Sequence, residues 1–174
     1  MIDHKEHKGC FAAASPADAV AFLQKVGAEF LDLRFTDTMG REQHMTLFMD
    51  VVDEALFQEG KAFDGSSIRG WKHINCSDML LMPQTDSIKK DPFYNDLTYF
   101  VRCDVYDPET MQPYDRDPRA IAKRAEAFLQ SSGVADCCYV GPEPEFFIFD
   151  DVRWQVTMSH VSFTVDSKEA AWNS

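Results

Sequence analysis

The chain has 174 residues, 45% hydrophobic and 26% charged, with a net charge of −12. That length holds one ordinary domain, or a small domain and part of another, and the acidic balance disfavours nucleic acid or an anionic membrane as partner, since both require a basic surface. No apolar run approaches the roughly 18 residues of a membrane span, Met1–Cys10 carries no apolar signal-peptide core, and five cysteines without metal-type spacing read as reduced thiols in the cytoplasm.

Residues 1–14 read as a flexible tail. Ser15-Pro16-Ala17-Asp18 announces the first helix, with Ser15 as N-cap, proline in the first turn and an acid to meet the helix dipole. Val20, Leu23 and Val26 give it an apolar stripe, and Gly27 stops it. From Glu29 to Phe35 the pattern alternates, with Leu31, Leu33 and Phe35 on one face and Asp32 and Arg34 on the other. Turn chemistry at Thr36–Gly40 and a second alternating run from Gln43 to Met49 complete a β-hairpin. A short helix follows, capped by Asp50 or Asp53 and ended by Gly60. Residues 63–72 have neither a helical nor a strand period; Met79–Met82 and Leu97–Val105 read as strands. Strands interleaved with short helices give an α+β class, with a first domain over 15–107.

Prolines 108, 113 and 118 make residues 108–116 a turn-rich linker. A helix then starts with Asp117 as N-cap and Pro118 in its first turn, buries a stripe of Ile121, Ala125, Phe128 and Leu129, and ends at Gly133. Adjacent Cys137 and Cys138 face opposite sides of an extended chain and form no C-x-x-C site. Next, Gly141 to Phe149 reads Gly-Pro-Glu-Pro-Glu-Phe-Phe-Ile-Phe. Pro142 and Pro144 exclude helix and bias their predecessors toward β, and the aromatic run favours strand. A further strand is expected around Val161–Val165, and residues 117–174 are too few to close a core of their own.

The strand at 141–149 carries the strongest chemical signal. Alternation places Glu143 and Glu145 on one face, with Cα atoms roughly 6.5–7 Å apart. Two carboxylates that close repel unless a cation lies between them, and oxygen donors suit Mg2+ or Mn2+. The plainer reading is a polar sheet edge, against which the flanking prolines and aromatics weigh. A second candidate is Phe63-Asp64-Gly65-Ser66-Ser67-Ile68, where a permissive glycine can present Asp64 into a cleft. The plainer reading there is a turn in which Asp64 bonds its own backbone. His4, His7, His44, His73 and His160 show no ligand spacing and read as surface or packing residues, and Trp71 as a packing anchor. Neither a P-loop nor a G-x-G-x-x-G motif occurs.

Several of these stretches, in order, resemble type I glutamine synthetase. The resemblance runs from Val26 to Ser174 and is carried by Leu31–Asp37, Gly60–Ile68, Ser77-Asp78-Met79, Tyr114–Arg119, Gly141–Phe147 and Ala171–Ser174. It implies a β-grasp N-terminal domain followed, from residue 117, by the truncated start of the catalytic α/β domain. It implies ATP-dependent ligation of ammonia to glutamate through γ-glutamyl phosphate. By the motif match, Glu145 ligates a divalent ion (Mg2+ or Mn2+) near the glutamate substrate and Glu143 a second ion near the ATP phosphates. Asp64 binds ammonium and helps remove its proton, and Ser67 shapes that site. It also implies a homo-oligomer, a dodecamer of two stacked hexameric rings, whose active sites lie between subunits, so that Asp64 and the glutamates of one chain serve different sites. The family's remaining ligands fall beyond Ser174, so the chain alone is expected to be inactive. Arg69 and His73 stand where small residues are common. Two further readings remain: a ligase joining glutamate to a larger amine, and a truncated non-catalytic module that docks onto intact subunits.

Overall fold

The computed structural model describes residues 10–72 and 77–173. His4, His7, His73, Cys76 and Ser174, the Cys10 side chain and most of the expected tail lie outside the described residues. The chain divides into two compact units after Cys137.

In the first unit, strand β1 (Cys10–Phe11) precedes helix α1 (Pro16–Lys25). The Ser15 hydroxyl accepts from the Asp18 amide at 3.2 Å, and Ala19 and Leu23 are buried. Strands β2 (Phe30–Thr36) and β3 (Glu42–Phe48) form the expected hairpin. Its turn is fixed by Asp37, whose carboxylate accepts from the Met39 and Arg41 amides at 2.8 and 2.9 Å. Helix α2 (Glu54–Glu59) is capped by Asp53 and ends at Gly60. There φ is +82°, and a Cβ would lie 2.5 Å from the Met82 sulfur, so only glycine fits.

Strand β4 (Lys61–Asp64) pairs with β5 (Asp78–Pro83), so the stretch read as period-free begins inside a strand. Short β6 (Ile88–Lys90) leads to β7 (Thr98–Asp107), and β8 (Gln112–Pro113) folds back on its end. The long β7 organises the sheet. Its first half lies parallel to β2 (Phe30↔Thr98 to Arg34↔Arg102) with β6 on its other side, and its second half pairs antiparallel with β5. Leu31, Leu33, Met79, Leu81, Val101 and Val105 are fully buried on the sheet face that carries α1 and α2. This is a mixed sheet with few helices, the α+β class read from the sequence.

Helix α3 (Pro118–Ser131) also belongs to the first unit. Asp117 caps it as expected and is itself fully buried, because its second carboxylate oxygen accepts from the Val105 amide of β7 at 3.1 Å. Arg119 Nε donates to Asp104 at 3.0 Å, and Lys123 bonds the same carboxylate. The expected apolar stripe is not buried: Ile121 and Phe128 are 51% and 73% exposed, and only Ala120 is covered. The helix is held by its N-terminus and by charge, while its apolar stripe has no surface in this unit to meet.

The second unit holds one antiparallel hairpin, β9 (Asp151–Val156) and β10 (Val161–Asp166). The sequence reading had β10 but not β9. Gly141–Phe149, expected as a strand, pairs with no other strand among the described residues. Its local chemistry is extended, but a strand needs a ladder, and the two strands of this unit pair with each other.

Candidate active-site segments

Asp64 ends β4, opposite Asp78 of β5, and the chain then turns through a short 3-10 segment, Gly65–Ser67. The Gly65 amide donates to the Ser77 carbonyl at 2.7 Å, and a Cβ at Gly65 would lie 2.3 Å from the Met79 sulfur. Only a glycine lets the turn press this close to β5. The Asp64 carboxylate accepts from the Ser66 hydroxyl at 2.7 Å and the Ser66 amide at 2.8 Å. These bonds, with help from the Ser77 hydroxyl, hold the Asp64 carboxyl below the usual carboxylate range. The side chain is therefore an exposed, firmly ionised anion on a fixed turn. The plainer reading of this turn, Asp64 bonding its own backbone, describes the geometry, and it leaves the carboxylate open to a cation. Ser67 is exposed and makes no bond to Asp64; Ser66 and Ser77 are the partners the sequence reading missed.

The far end of the same loop is tied down. The Trp71 amide donates to the Ile68 carbonyl at 3.2 Å, and the Ile68 amide to Gly65 at 3.2 Å. Trp71 is 4% exposed and packs on Phe35, Phe63 and Tyr114. Its carbonyl accepts from the Tyr114 hydroxyl at 2.7 Å, and Arg116 donates to the Gly70 carbonyl at 2.5 Å.

Glu143 and Glu145 lie in the second unit on the unpaired ribbon, both exposed. Among the described residues neither glutamate takes part in an ion pair. The Phe147 and Phe149 rings stack at 6.3 Å with 12° between their planes, which puts residues two apart on one side, as an extended chain requires. Two exposed, unneutralised carboxylates are hard oxygen donors that fit Mg2+ or Mn2+. Among the described residues no group of three acids, histidines or cysteines gathers around one point.

The sequence reading also passed over a charged cluster on the outer face of β2 and β3. Asp32, 1% exposed, accepts from Arg34 Nε, His44 Nδ1 and the Thr46 hydroxyl, each at 2.8 Å. Arg34 also bonds buried Asp91 and lies 4.2 Å over the Phe100 ring. The signal was present in the alternation of Asp32 with Arg34 opposite His44 and Thr46.

Residues 27–108 match the glutamine synthetase β-grasp domain model, and residues 115–173 the glutamine synthetase catalytic domain model. The glutamine synthetase of Methylococcus capsulatus is 55% identical over 160 residues, which is 92% of this chain and 34% of that protein. That of Escherichia coli K12 is 52% identical over the same shares. This chain thus spans about a third of the length of the curated relatives it matches. Among solved structures, the glutamine synthetase of Plasmodium falciparum aligns with a TM-score of 0.73 at 19% identity, over 92% of this chain and 31% of that one, a likeness of fold. With two domain models of one family matched in order along most of its length, and relatives more than half identical across it, this chain belongs to the glutamine synthetase family.

Proposed function

We propose that these residues are the N-terminal part of a cytoplasmic ligase that joins ammonia to glutamate at the expense of ATP, through γ-glutamyl phosphate. The observation that carries the reading is the ordered match of both domain models on a chain that keeps the Asp64 turn and the paired glutamates of the ribbon. Asp64 attracts ammonium: a carboxylate held ionised by Ser66 is a fixed negative charge at the tip of a rigid turn. Being on the reacting side of that cation, it also accepts a proton from it. Ser67, next to this turn, shapes the approach. Glu145 supplies one carboxylate to a divalent ion near the glutamate substrate and Glu143 one to an ion near the ATP phosphates. Bound there, Mg2+ or Mn2+ neutralises the phosphate oxygens during phosphoryl transfer. The working form is a homo-oligomer, a dodecamer of stacked hexameric rings, in which Asp64 of one subunit faces the glutamates of the next.

The test is a chimera in which these 174 residues replace the N-terminal third of the Escherichia coli enzyme. Glutamine formation with Mg2+ or Mn2+ is expected from the chimera and none from the chain alone. Glu145→Ala is expected to raise the metal requirement by roughly 10–100-fold or more, and an unchanged Mg2+ titration would remove its ligand role. Ammonium is expected to outcompete methylamine and putrescine as substrate; the reverse preference would assign the chain to a ligase for larger amines.

A further inference from the structure

The loop that carries Asp64 is short of internal support. Its backbone amides form a single file of hydrogen bonds, Trp71 to Ile68, Ile68 to Gly65 and Gly65 to Ser77. The Asp64 carboxylate joins that file through the Ser66 amide. A movement at Trp71 therefore has a route to Asp64 along this file of bonds, beside the packing of Trp71 on the Phe63 ring. The hydrogen bond to the Trp71 carbonyl comes from 43 residues further along the chain.

Tyr114 is well placed to act as a post. Its amide donates to the Val105 carbonyl of β7 at 2.8 Å, and its carbonyl accepts from the Asp117 amide at 3.1 Å. Asp117 in turn holds the Val105 amide with its buried carboxylate. The tyrosine backbone is thus locked between the central strand and the first turn of α3. From that position the ring packs edge-on against Trp71 at 5.5 Å, and the hydroxyl reaches the Trp71 carbonyl at 2.7 Å. Arg116 adds bonds to the Gly70 carbonyl at 2.5 Å and the Trp71 carbonyl at 3.5 Å. Lys72 completes the tie, donating to Asp107 at 2.8 Å at the end of β7.

We infer that Tyr114, with Arg116, is a positioning residue for the reaction: its hydroxyl, through the Trp71 carbonyl, sets the turn that presents Asp64 to ammonium. The inference rests on the proposed role of Asp64. It differs from a packing role in that the Tyr114 ring contributes packing against Trp71, whereas its hydroxyl contributes a hydrogen bond to the tie that Arg116 shares.

Tyr114→Phe separates the two, because it keeps the ring against Trp71 and removes one hydrogen bond. In the 174-residue chain, amide exchange at Gly65, Ser66, Ile68 and Trp71 is expected to quicken by about fivefold, the value of one such bond, with the β2–β3 ladder unchanged. Equal exchange in the loop, or faster exchange throughout the sheet, would overturn the tie. In the chimera, Tyr114→Phe is expected to raise the KM for ammonium by about fivefold, leaving kcat and the KM for glutamate and ATP within about twofold. Arg116→Lys, which retains a donor, is expected to fall between wild type and Arg116→Ala. Asp64→Asn runs beside them. A rise in ammonium KM for Asp64→Asn but not for Tyr114→Phe overturns the positioning role and leaves the reading of Asp64 intact. A rise for neither overturns both, and identifies the assignment of Asp64 as the part that failed.

Discussion

Asp32 and Asp117 are both buried carboxylates, and their surroundings drive them in opposite directions. Burial pushes Asp32 up, but hydrogen bonds from Arg34, His44 and Thr46 together outweigh it and hold the group below the usual carboxylate range. Burial also pushes Asp117 up, and there the backbone donors of Arg119 and Val105 do not make up the difference. Because the unfolded chain takes up the Asp32 proton more readily, the stability Asp32 contributes is fully present above about pH 4. It is lost as pH falls through the depressed native value. Asp117 has the other sign, costing stability as pH rises through its raised value. Asp32→Asn is therefore expected to flatten the acid limb of a urea-denaturation series taken across pH. Arg34→Ala removes the cation that buried Asp32 and Asp91 share, leaving Asp32 to His44 and Thr46, and is expected to cost about 3 kcal/mol in the same measurement. The alternation of Asp32 with Arg34 was legible in the sequence. That the aspartate would be sealed off was not, since sealing depends on His44 and Thr46 arriving from the neighbouring strand.

The elements repeat the same division between local and distant causes. Caps and stops were readable because their partners lie within four residues: Ser15 with Asp18, Asp53 with Leu56, Asp117 with Arg119, and Gly60 closing α2. The ribbon from Gly141 to Phe149, expected as a strand, has no ladder among the described residues, since prolines set a backbone angle but cannot supply a neighbour. The stripe of α3 failed for the same reason, being a face without a surface opposite. The hairpin of β9 and β10 shows what such a face looks like. Val152, Trp154 and Val156 stand across from Val165, Phe163 and Val161 on one side, while Arg153 and Gln155 face Thr164 and Ser162 on the other. Trp154 and Phe163 remain 73% and 78% exposed. A two-stranded hairpin with an uncovered face is marginal in water, so the Trp154–Phe163 pair carries much of its cohesion. Trp154→Ala is expected to abolish amide protection across 151–166 and to leave the melting temperature of the first unit unchanged.

At the scale of the molecule the two units differ in kind. The first has a continuous core from Leu23 through Val105. In the second, no described residue is buried, so it has no interior to lose on unfolding. Heating is expected to give one cooperative transition, sized for the first unit alone, and the dye ANS is expected to bind the native chain through the exposed apolar residues of 139–163. The candidate site divides along the same line. Asp64 sits on the cored unit, where its turn is fixed by bonds that can be counted, whereas Glu143 and Glu145 sit on the coreless one. The two glutamates were visible in the sequence as a motif; the environment that would fix their side chains was not, because it is not encoded in their neighbours.

The parallel pairing of β2 with β7 also bears on how quickly the first unit assembles. Phe30 meets Thr98 across 67 intervening residues, and that ladder runs through the middle of the sheet. The β2–β3 hairpin can zip up within microseconds, but the central ladder must wait for a long segment of chain to be gathered in, and closing that loop costs entropy before any contact repays it. Refolding is therefore expected on the millisecond-to-second scale of topologies rich in distant contacts. Stopped-flow fluorescence should register the burial of Trp71 as a late event, since its seat is built from both ends of that loop.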